Sequence, residues 1–196
     1  MDKIFIPLGN SCSISYNLKV NNLRKFAYPF DWVRIQNLNN ISLLIQNNFD
    51  GFLDLSKFRF KYFSNKFNVN NKFESYIYSN EYCTFFHDFD NYIEKFDASI
   101  FIKKYERRIK RFLEVIKSNN KLIFIREEFG KINKNKIYNF ISVIKNINPK
   151  IDFYLIIITN KYIEFEDINV KCYVSDKPIS DWTRPEINWD EIFNLF

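Results

Sequence analysis

The chain has 196 residues, which is enough for one domain with a substantial buried core. Hydrophobic residues make up 46% of the chain and aromatic residues 19%, a composition that excludes an intrinsically disordered protein. The formal net charge is +6, but Lys and Arg are spread along the sequence, so nucleic acid is not an expected partner. No window approaches the roughly 18 apolar residues of a membrane-spanning helix, so no membrane partner is expected either.

Three cysteines, Cys12, Cys83 and Cys172, occur at irregular spacing. An odd number of scattered cysteines does not suggest a disulfide framework, and Pro7 interrupts the N-terminus too early for a signal peptide. We therefore expect free thiols in a reducing, cytoplasmic compartment. The cysteines and the single His87 lack the spacing of a zinc site, and the glycines are isolated, so we expect no metal and no other cofactor.

The first elements follow from a short apolar run and from the residues that end it. Residues 4–8 predict a buried strand, which Gly9-Asn10 ends. Serines that suit the start of a helix come next, and they predict a helix that begins at Ser11 or Ser13 and runs to about residue 22. Residues 29–32 predict a compact turn, and the apolar spacing after it predicts a second helix over residues 38–48.

A Phe-rich stretch at about 49–97 is harder to interpret. Residues 49–72 have no clean periodicity, and we expect a less regular insertion over about residues 49–97. The aromatic runs at 76–78 and 82–86 predict two short strands, which could form a hairpin through residues 79–81.

The second half alternates between helical and strand patterns. The helices are predicted at 100–117, 134–146 and 188–196, and the strands at 121–126, 153–158 and 170–174. Continuous apolar strands that alternate with helices indicate a mainly parallel, covered sheet. We therefore predict a single α/β domain over residues 1–196, with helices that flank a central sheet in Rossmann-like layering. The basic run at 103–111 is interpreted as the solvated side of its helix.

The carboxyl ends of parallel strands are where a site is expected, and Cys12 follows the first of these ends. A thiol at the start of a helix lies near the positive end of the helix dipole and near free N–H groups. These groups favour the thiolate, lower its pKa and could hold an oxyanion. A free cysteine more often fills space in a core, and a single cysteine is a weak signal. The spacing alone leaves both interpretations open.

His87 is the single histidine of the chain, and it follows the predicted strand at 82–86. A cysteine nucleophile needs a base within hydrogen-bond reach, and the base needs a group that orients it. His87 is the candidate base, although a surface or capping histidine in a loop is equally consistent with the sequence. Asp88 and Asp90 are the candidate acids of the catalytic group. The candidate substrate-binding residues are Gly9, Asn10, Ser11, Asp31 and Arg126.

Several motifs, in the same order, resemble the DUF1796 family, whose members are named putative papain-like cysteine peptidases. The stretch Leu8-Gly9-Asn10-Ser11-Cys12 and the stretch Pro29-Phe30-Asp31-Trp32 are similar to the opening of these proteins. Phe86-His87-Asp88-Phe89, residues 107–113 and residues 122–126 are similar to later parts. The resemblance implies a thiol hydrolase with Cys12 as nucleophile and His87 as base.

Two functions from different classes are therefore carried forward. The first is a cysteine-dependent hydrolase, a peptidase or another acyl hydrolase, that acts on an unidentified peptide or small molecule. The second is a non-proteolytic α/β module that binds or processes a sugar or nucleotide in surface-polysaccharide work, with Arg126 and the basic helix on an anionic group. A binding protein without catalytic activity is a third possibility. The distance from the Cys12 sulfur to the His87 ring discriminates between the first two.

Overall fold

The computed structural model describes residues 3–66, 74–129 and 132–195 of the chain. Within these ranges it is a mixed α/β structure with two four-stranded sheets and five α-helices. The strands are β1 (Lys3–Pro7), β2 (Val33–Arg34), β3 (Arg59–Ser64), β4 (Ser75–Ser79), β5 (Thr84–Phe85), β6 (Lys121–Glu127), β7 (Phe153–Thr159) and β8 (Val170–Val174). The helices are α1 (Ser13–Val20), α2 (Leu38–Gln46), α3 (Ala98–Ile116), α4 (Lys134–Ile147) and α5 (Trp189–Phe193).

The first sheet has the strand order β1-β6-β7-β8, and all of its strands are parallel. Its register aligns Ile6 with Phe124 and Phe124 with Leu155. Strands that are buried on both faces need the near-continuous apolar runs seen in this sequence. The predicted parallel sheet is confirmed, and each of its strands lies within two residues of the predicted position.

Successive side chains of the parallel strands belong to two separate cores, as the two-residue period of a strand requires. Ile6, Phe124 and Leu155 pack with residues of α2, α3 and α4. Phe5 and Ile125 pack instead with residues of α1 and α5. Helices therefore cover both faces of this sheet. These contacts do not establish the Rossmann-like layering expected from the sequence, and that layering stays a prediction.

The second sheet is antiparallel, with the order β2-β5-β4-β3. Strands β4 and β5 form the hairpin predicted from the two aromatic runs, and the Asn80 N–H donates to the Cys83 carbonyl (3.0 Å) in its turn. Strands β2 and β3 were not predicted. Strand β3 is exposed except at Ser64, so no apolar alternation marks it in the sequence. The described part of the stretch 49–97 is thus more regular than predicted, and residues 67–73 of that stretch lie outside the described residues.

Aromatic side chains join the antiparallel sheet to α3. The ring of Phe101 lies 5.4 Å from the ring of Phe85 and 5.0 Å from that of Phe89. Burial of large aromatic rings is a strong stabilising contribution, so the segment between Phe85 and Phe89 has a rigid support. No helix in the described ranges is long and apolar enough to cross a membrane.

Candidate active site

The turn after β1 brings Cys12 to the carboxyl edge of the parallel sheet. The Leu8 N–H donates to the Ile125 carbonyl (2.9 Å), and Gly9 and Asn10 then both adopt left-handed backbone angles, with φ of 66° and 68°. A Cβ on Gly9 would lie 3.3 Å from side-chain atoms of Ile35, so both its backbone angle and its packing favour glycine. The Asn10 side-chain amide donates to the Glu127 carbonyl (2.7 Å), which fixes the turn against β6.

Cys12 occupies the N-cap position of α1, but its side chain makes no capping hydrogen bond. The hydroxyl of Ser11 takes that role, because it accepts the Ser13 N–H (3.2 Å). The thiol is consequently not used to hold the helix, and Cys12 lies among the residues that line a cavity.

The structure brings Cys12 and His87 together across 75 positions of sequence. The Cys12 Sγ lies 3.8 Å from the His87 Nε2. This separation is within the range of a hydrogen bond that involves sulfur, so a proton can pass between the two groups.

The residues on either side of His87 are held by the fold. The Ser75 hydroxyl donates to the Phe86 carbonyl (2.5 Å). The Asp88 carboxylate accepts bonds from Lys104 (2.5 Å) and from the Tyr105 hydroxyl (3.1 Å), both on α3. His87 therefore sits on a short segment that is fixed at both ends.

The turn predicted at 29–32 lies against the His87 side chain. Asp31 is fully buried and accepts a bond from the Arg24 Nε (2.7 Å). Trp32, next to it, has a left-handed φ of 64°, and its ring meets the His87 ring edge to face at 5.7 Å. A left-handed angle is unusual for a bulky residue and needs surrounding contacts to maintain it. The Arg24–Asp31 pair supplies such contacts and thereby positions the Trp32 ring.

The cavity beside Cys12 has a volume of about 860 Å³, which is large enough for a small molecule or a few residues of a peptide. Both sheets and the segment after β8 contribute to it. Its lining residues in the described ranges are Asn10, Ser11, Cys12, Val33, Arg34, Gln36, Lys66, Phe86, His87, Glu127, Phe129, Ile179, Trp182 and Arg184.

The surroundings of Cys12 disfavour ionisation of its thiol. Burial raises its pKa to about 11, although the positive charge of Arg34 lowers the pKa. The carboxylates of Asp88, Asp31 and Glu127 raise the pKa further. The expected lowering of the pKa by the start of the helix is therefore wrong, because desolvation of the thiolate outweighs the favourable charges.

A buried ionic cluster lies beside the nucleophile on the sheet side of the cavity. The Glu127 carboxylate accepts a bond from the Ser13 hydroxyl and pairs with the Arg184 Nη1 (2.7 Å). Arg184 also pairs with Glu186 through its Nε, and its guanidinium lies 4.6 Å from the ring centre of Phe129. Burial raises the pKa of Glu127, although Ser13 and Arg184 oppose the rise.

Sequence reasoning missed Glu127, Arg184 and Arg34. Glu127 is the last residue of β6, so the rule that selected Arg126 at a strand end could also have found Glu127. Arg34 lies in a two-residue strand. Arg184 follows an irregular segment and itself has a left-handed φ of 59°. No sequence pattern marks either position.

Several candidate residues lie outside the cavity lining. Gly9 packs against Ile35, Asp31 pairs with Arg24, and Asp88 bonds to α3, as described above; Asp90, partly buried, is not among the described residues of the lining either. Arg126 is fully buried, and its guanidinium donates to the carbonyls of Leu8 (2.7 Å), Ile35 (2.9 Å) and Gln36 (3.2 Å). The predicted substrate-binding residues that reach the cavity are Asn10 and Ser11. No group of three or more His, Cys, Asp or Glu residues within the described ranges could hold a metal ion.

A mixed α/β structure with a Cys–His pair in a cavity defines a candidate thiol active site. The family model described as "Putative papain-like cysteine peptidase (DUF1796)" matches residues 3–162, and the chain belongs to this family. The chain is also similar to uncharacterized protein R408 of Acanthamoeba polyphaga mimivirus. The two are 32% identical over 216 residues, which cover 97% of this chain and 97% of the relative. No solved structure matches.

Proposed function

We propose that this protein is a cysteine-dependent acyl hydrolase in which Cys12 is the nucleophile and His87 the general base. The observation that carries the proposal is the 3.8 Å separation of the Cys12 Sγ and the His87 Nε2 at the wall of a cavity. The family description as a cysteine peptidase supports the same assignment. The three free thiols agree with the cytoplasmic location that forms part of the proposal.

The raised pKa of Cys12 determines how the reaction begins. With a pKa of about 11, the Cys12 thiol keeps its proton until the substrate is attacked. His87 takes the thiol proton as the sulfur attacks the acyl carbon, and the carbonyl oxygen becomes an oxyanion. The imidazolium then gives this proton to the leaving group, and a thioester remains on Cys12. His87 next takes a proton from water, whose oxygen attacks the thioester, and the acid product and the thiol are released.

The start of α1 is a suitable place for the oxyanion. The first turn of a helix has backbone N–H groups without partners further back in the helix, and the helix dipole is positive there. The Ser13 N–H already donates to the Ser11 hydroxyl, so we assign oxyanion stabilisation to the other N–H groups of this turn. Each such donor in an acyl-transfer enzyme contributes about 3 kcal/mol to the transition state.

The orientation of His87 depends on the segment that carries it and on the ring that contacts it. Each carboxylate oxygen of Asp88 already accepts one bond from α3, so Asp88 holds the segment that carries the histidine. Trp32 contacts the imidazole ring itself. We propose that Trp32 and Asp88 are positioning residues, and that Asp90 remains the alternative acid.

The contacts of the cations favour the hydrolase over the sugar- or nucleotide-binding alternative. That alternative depends on Arg126 and on the basic helix, which is α3. Arg126 is fully buried among backbone carbonyls. On α3, Lys104 pairs with Asp88, and Arg111 donates to the Ala27 carbonyl (2.8 Å). These cations stabilise the fold.

The proposal is tested with an acyl-enzyme trap, a small electrophilic acyl compound that carries a fluorophore. Wild-type protein and the variants Cys83→Ala and Cys172→Ala should be labelled, whereas Cys12→Ala should not. The variant His87→Gln should retain the thiol but be labelled at least 100-fold more slowly, because a general base contributes about that factor or more. Undiminished labelling of Cys12→Ala would contradict the proposal.

A further inference from the structure

The cavity lining includes two cationic side chains that the reaction itself does not use. Arg34, in β2, and Lys66, just after β3, both have exposed side chains and both line the cavity that contains Cys12. Within the described ranges, neither of them forms an ion pair with a carboxylate. A cation that lines a cavity and has no ion pair can bind an anionic ligand without breaking an existing bond.

Arg34 is held close to the reacting groups. Its guanidinium carbon lies 5.0 Å from the ring centre of Phe86, the residue that precedes His87. The backbone pairing of Arg34 with Thr84 anchors β2 beside the same segment. The positive charge of Arg34 also lowers the pKa of Cys12, so its field reaches the sulfur. An anion bound at Arg34 would therefore lie beside the acyl group that Cys12 attacks.

The third cation of the described cavity lining, Arg184, differs from Arg34 and Lys66 because it is paired with carboxylates. Arg184 is bonded to both Glu127 and Glu186, so its charge is compensated. Apolar side chains contribute much of the rest of the lining, among them those of Phe129, Ile179 and Trp182. The cavity thus combines positive charge at Arg34 and Lys66 with an apolar surface at Phe129, Ile179 and Trp182.

We propose that Arg34, assisted by Lys66, forms a subsite for a carboxylate group of the substrate. The assignment of a substrate rests on the proposed hydrolase function. The subsite identifies the substrate class as an acyl compound with an acidic group next to the scissile bond. An apolar group lies on the other side of that bond. A peptide with Asp or Glu beside the bond that is cleaved has this chemistry.

The subsite is tested by the alkylation of Cys12 with two reagents of nearly equal size, anionic iodoacetate and neutral iodoacetamide. Rates are measured peptide by peptide with mass spectrometry, at about pH 9, where part of the thiol is ionised. The ratio of the iodoacetate rate to the iodoacetamide rate removes changes in the pKa of Cys12, because both reagents need the same thiolate. We expect Arg34→Glu to lower this ratio about tenfold and Arg34→Gln to lower it about threefold.

Two controls belong to the same experiment. Arg107→Glu changes the net charge equally at an exposed position of α3 and should leave the ratio unchanged. The ratio at Cys172 in the same molecules serves as an internal reference. High ionic strength should reduce the wild-type ratio toward that of Arg34→Gln, because salt screens exposed charges. A ratio that Arg34→Glu and Arg34→Gln both leave unchanged overturns the subsite.

The outcome also separates the subsite from the hydrolase proposal, because alkylation needs no turnover. A reduced ratio in a protein that hydrolyses no acyl substrate would retain the anion subsite and reject the hydrolase. Turnover of paired peptides with equal kcat/KM for Asp and Asn beside the scissile bond would retain the hydrolase and reject the subsite. The expected result is at least a tenfold preference for Asp, which Arg34→Glu abolishes.

Discussion

The Asp31 carboxylate lies 2.6 Å from the Arg24 Nη2, and the side chain of Asp31 is fully buried. This pair fixes the turn that places the Trp32 ring against His87. Arg24 also lies over the Trp32 ring, at 5.9 Å from its centre. The sequence Pro29-Phe30-Asp31-Trp32 thus contributes to the site through the position of the histidine.

Loss of Arg24 should destabilise the fold. The variant Arg24→Met leaves a buried carboxylate without its cation, and we expect the free energy of unfolding to fall by about 3 kcal/mol at neutral pH. The double variant Arg24→Met/Asp31→Asn removes both charges and should recover most of this loss. Urea unfolding measures both values. Equal losses in the single and the double variant would contradict a role for the ion pair.

The same pair predicts a dependence on pH. Burial already raises the pKa of Asp31 in the wild type, although Arg24 lowers it, and removal of Arg24 should raise it further. When the pKa of a group is higher in the folded state than in the unfolded state, protonation of that group stabilises the fold. This contribution is present at low pH and is lost as the pH rises through the folded-state pKa. The deficit of Arg24→Met should therefore shrink as the pH is lowered from about 7 to about 4. A deficit that is constant over this range would exclude the carboxylate as its cause.

Trp32 and Trp182 should affect different kinetic constants in assays with an identified substrate. Trp32 contacts His87, so Trp32→Leu should lower kcat about tenfold with little change in KM. Trp182 lines the cavity and packs on Tyr16 at 5.0 Å, so Trp182→Leu should raise KM and leave kcat nearly unchanged. Steady-state kinetics of the two variants, which lose the same indole, separates these effects. An increase in KM alone for Trp32→Leu would show that Trp32 binds substrate instead.

The pKa of Cys12 predicts its reactivity and a part of the alkaline stability profile. Burial raises the pKa to about 11, so the rate of alkylation by iodoacetamide should rise continuously between pH 9 and pH 11. Because the folded state holds the proton more tightly than the unfolded state, the free energy of unfolding should fall over the same interval. Cys12→Ser lacks this component and should show a smaller fall. A plateau of alkylation below pH 7 would instead indicate a thiolate–imidazolium pair.

The sequence predicts the parallel half of the fold because its signals there are local. The helix α3 has a continuous apolar stripe that includes Phe101, Tyr105 and Phe112, and β6 and β7 are continuous apolar runs. The antiparallel sheet has no such signal outside its hairpin, since β2 has two residues and β3 is almost entirely exposed. Pairing with distant strands determines these elements, and that pairing is a tertiary property.

The candidate site was predictable only in part for a related reason. Cys12 and His87 follow strand ends, and their residue types indicate the chemistry. Arg126 and Glu127 also end a strand, and successive residues of a strand face opposite sides. The sequence does not tell which of the two faces the cavity. The structure places Glu127 on the cavity side and Arg126 in the core.

Arg126 should therefore behave as a structural residue. Its guanidinium binds the carbonyls of Leu8 and Ile35 and so ties the end of β1 to the segment after β2. Arg126→Met leaves these buried carbonyls without donors and Glu128 without its cation, and we expect a loss of about 3 to 5 kcal/mol in the free energy of unfolding. Arg34→Met, at an exposed position, is the matched control and should lose less than about 0.5 kcal/mol. If Arg126→Met unfolds in urea like the wild type but loses the preference of Cys12 for iodoacetate, then Arg126 contacts the anion and the structural assignment fails.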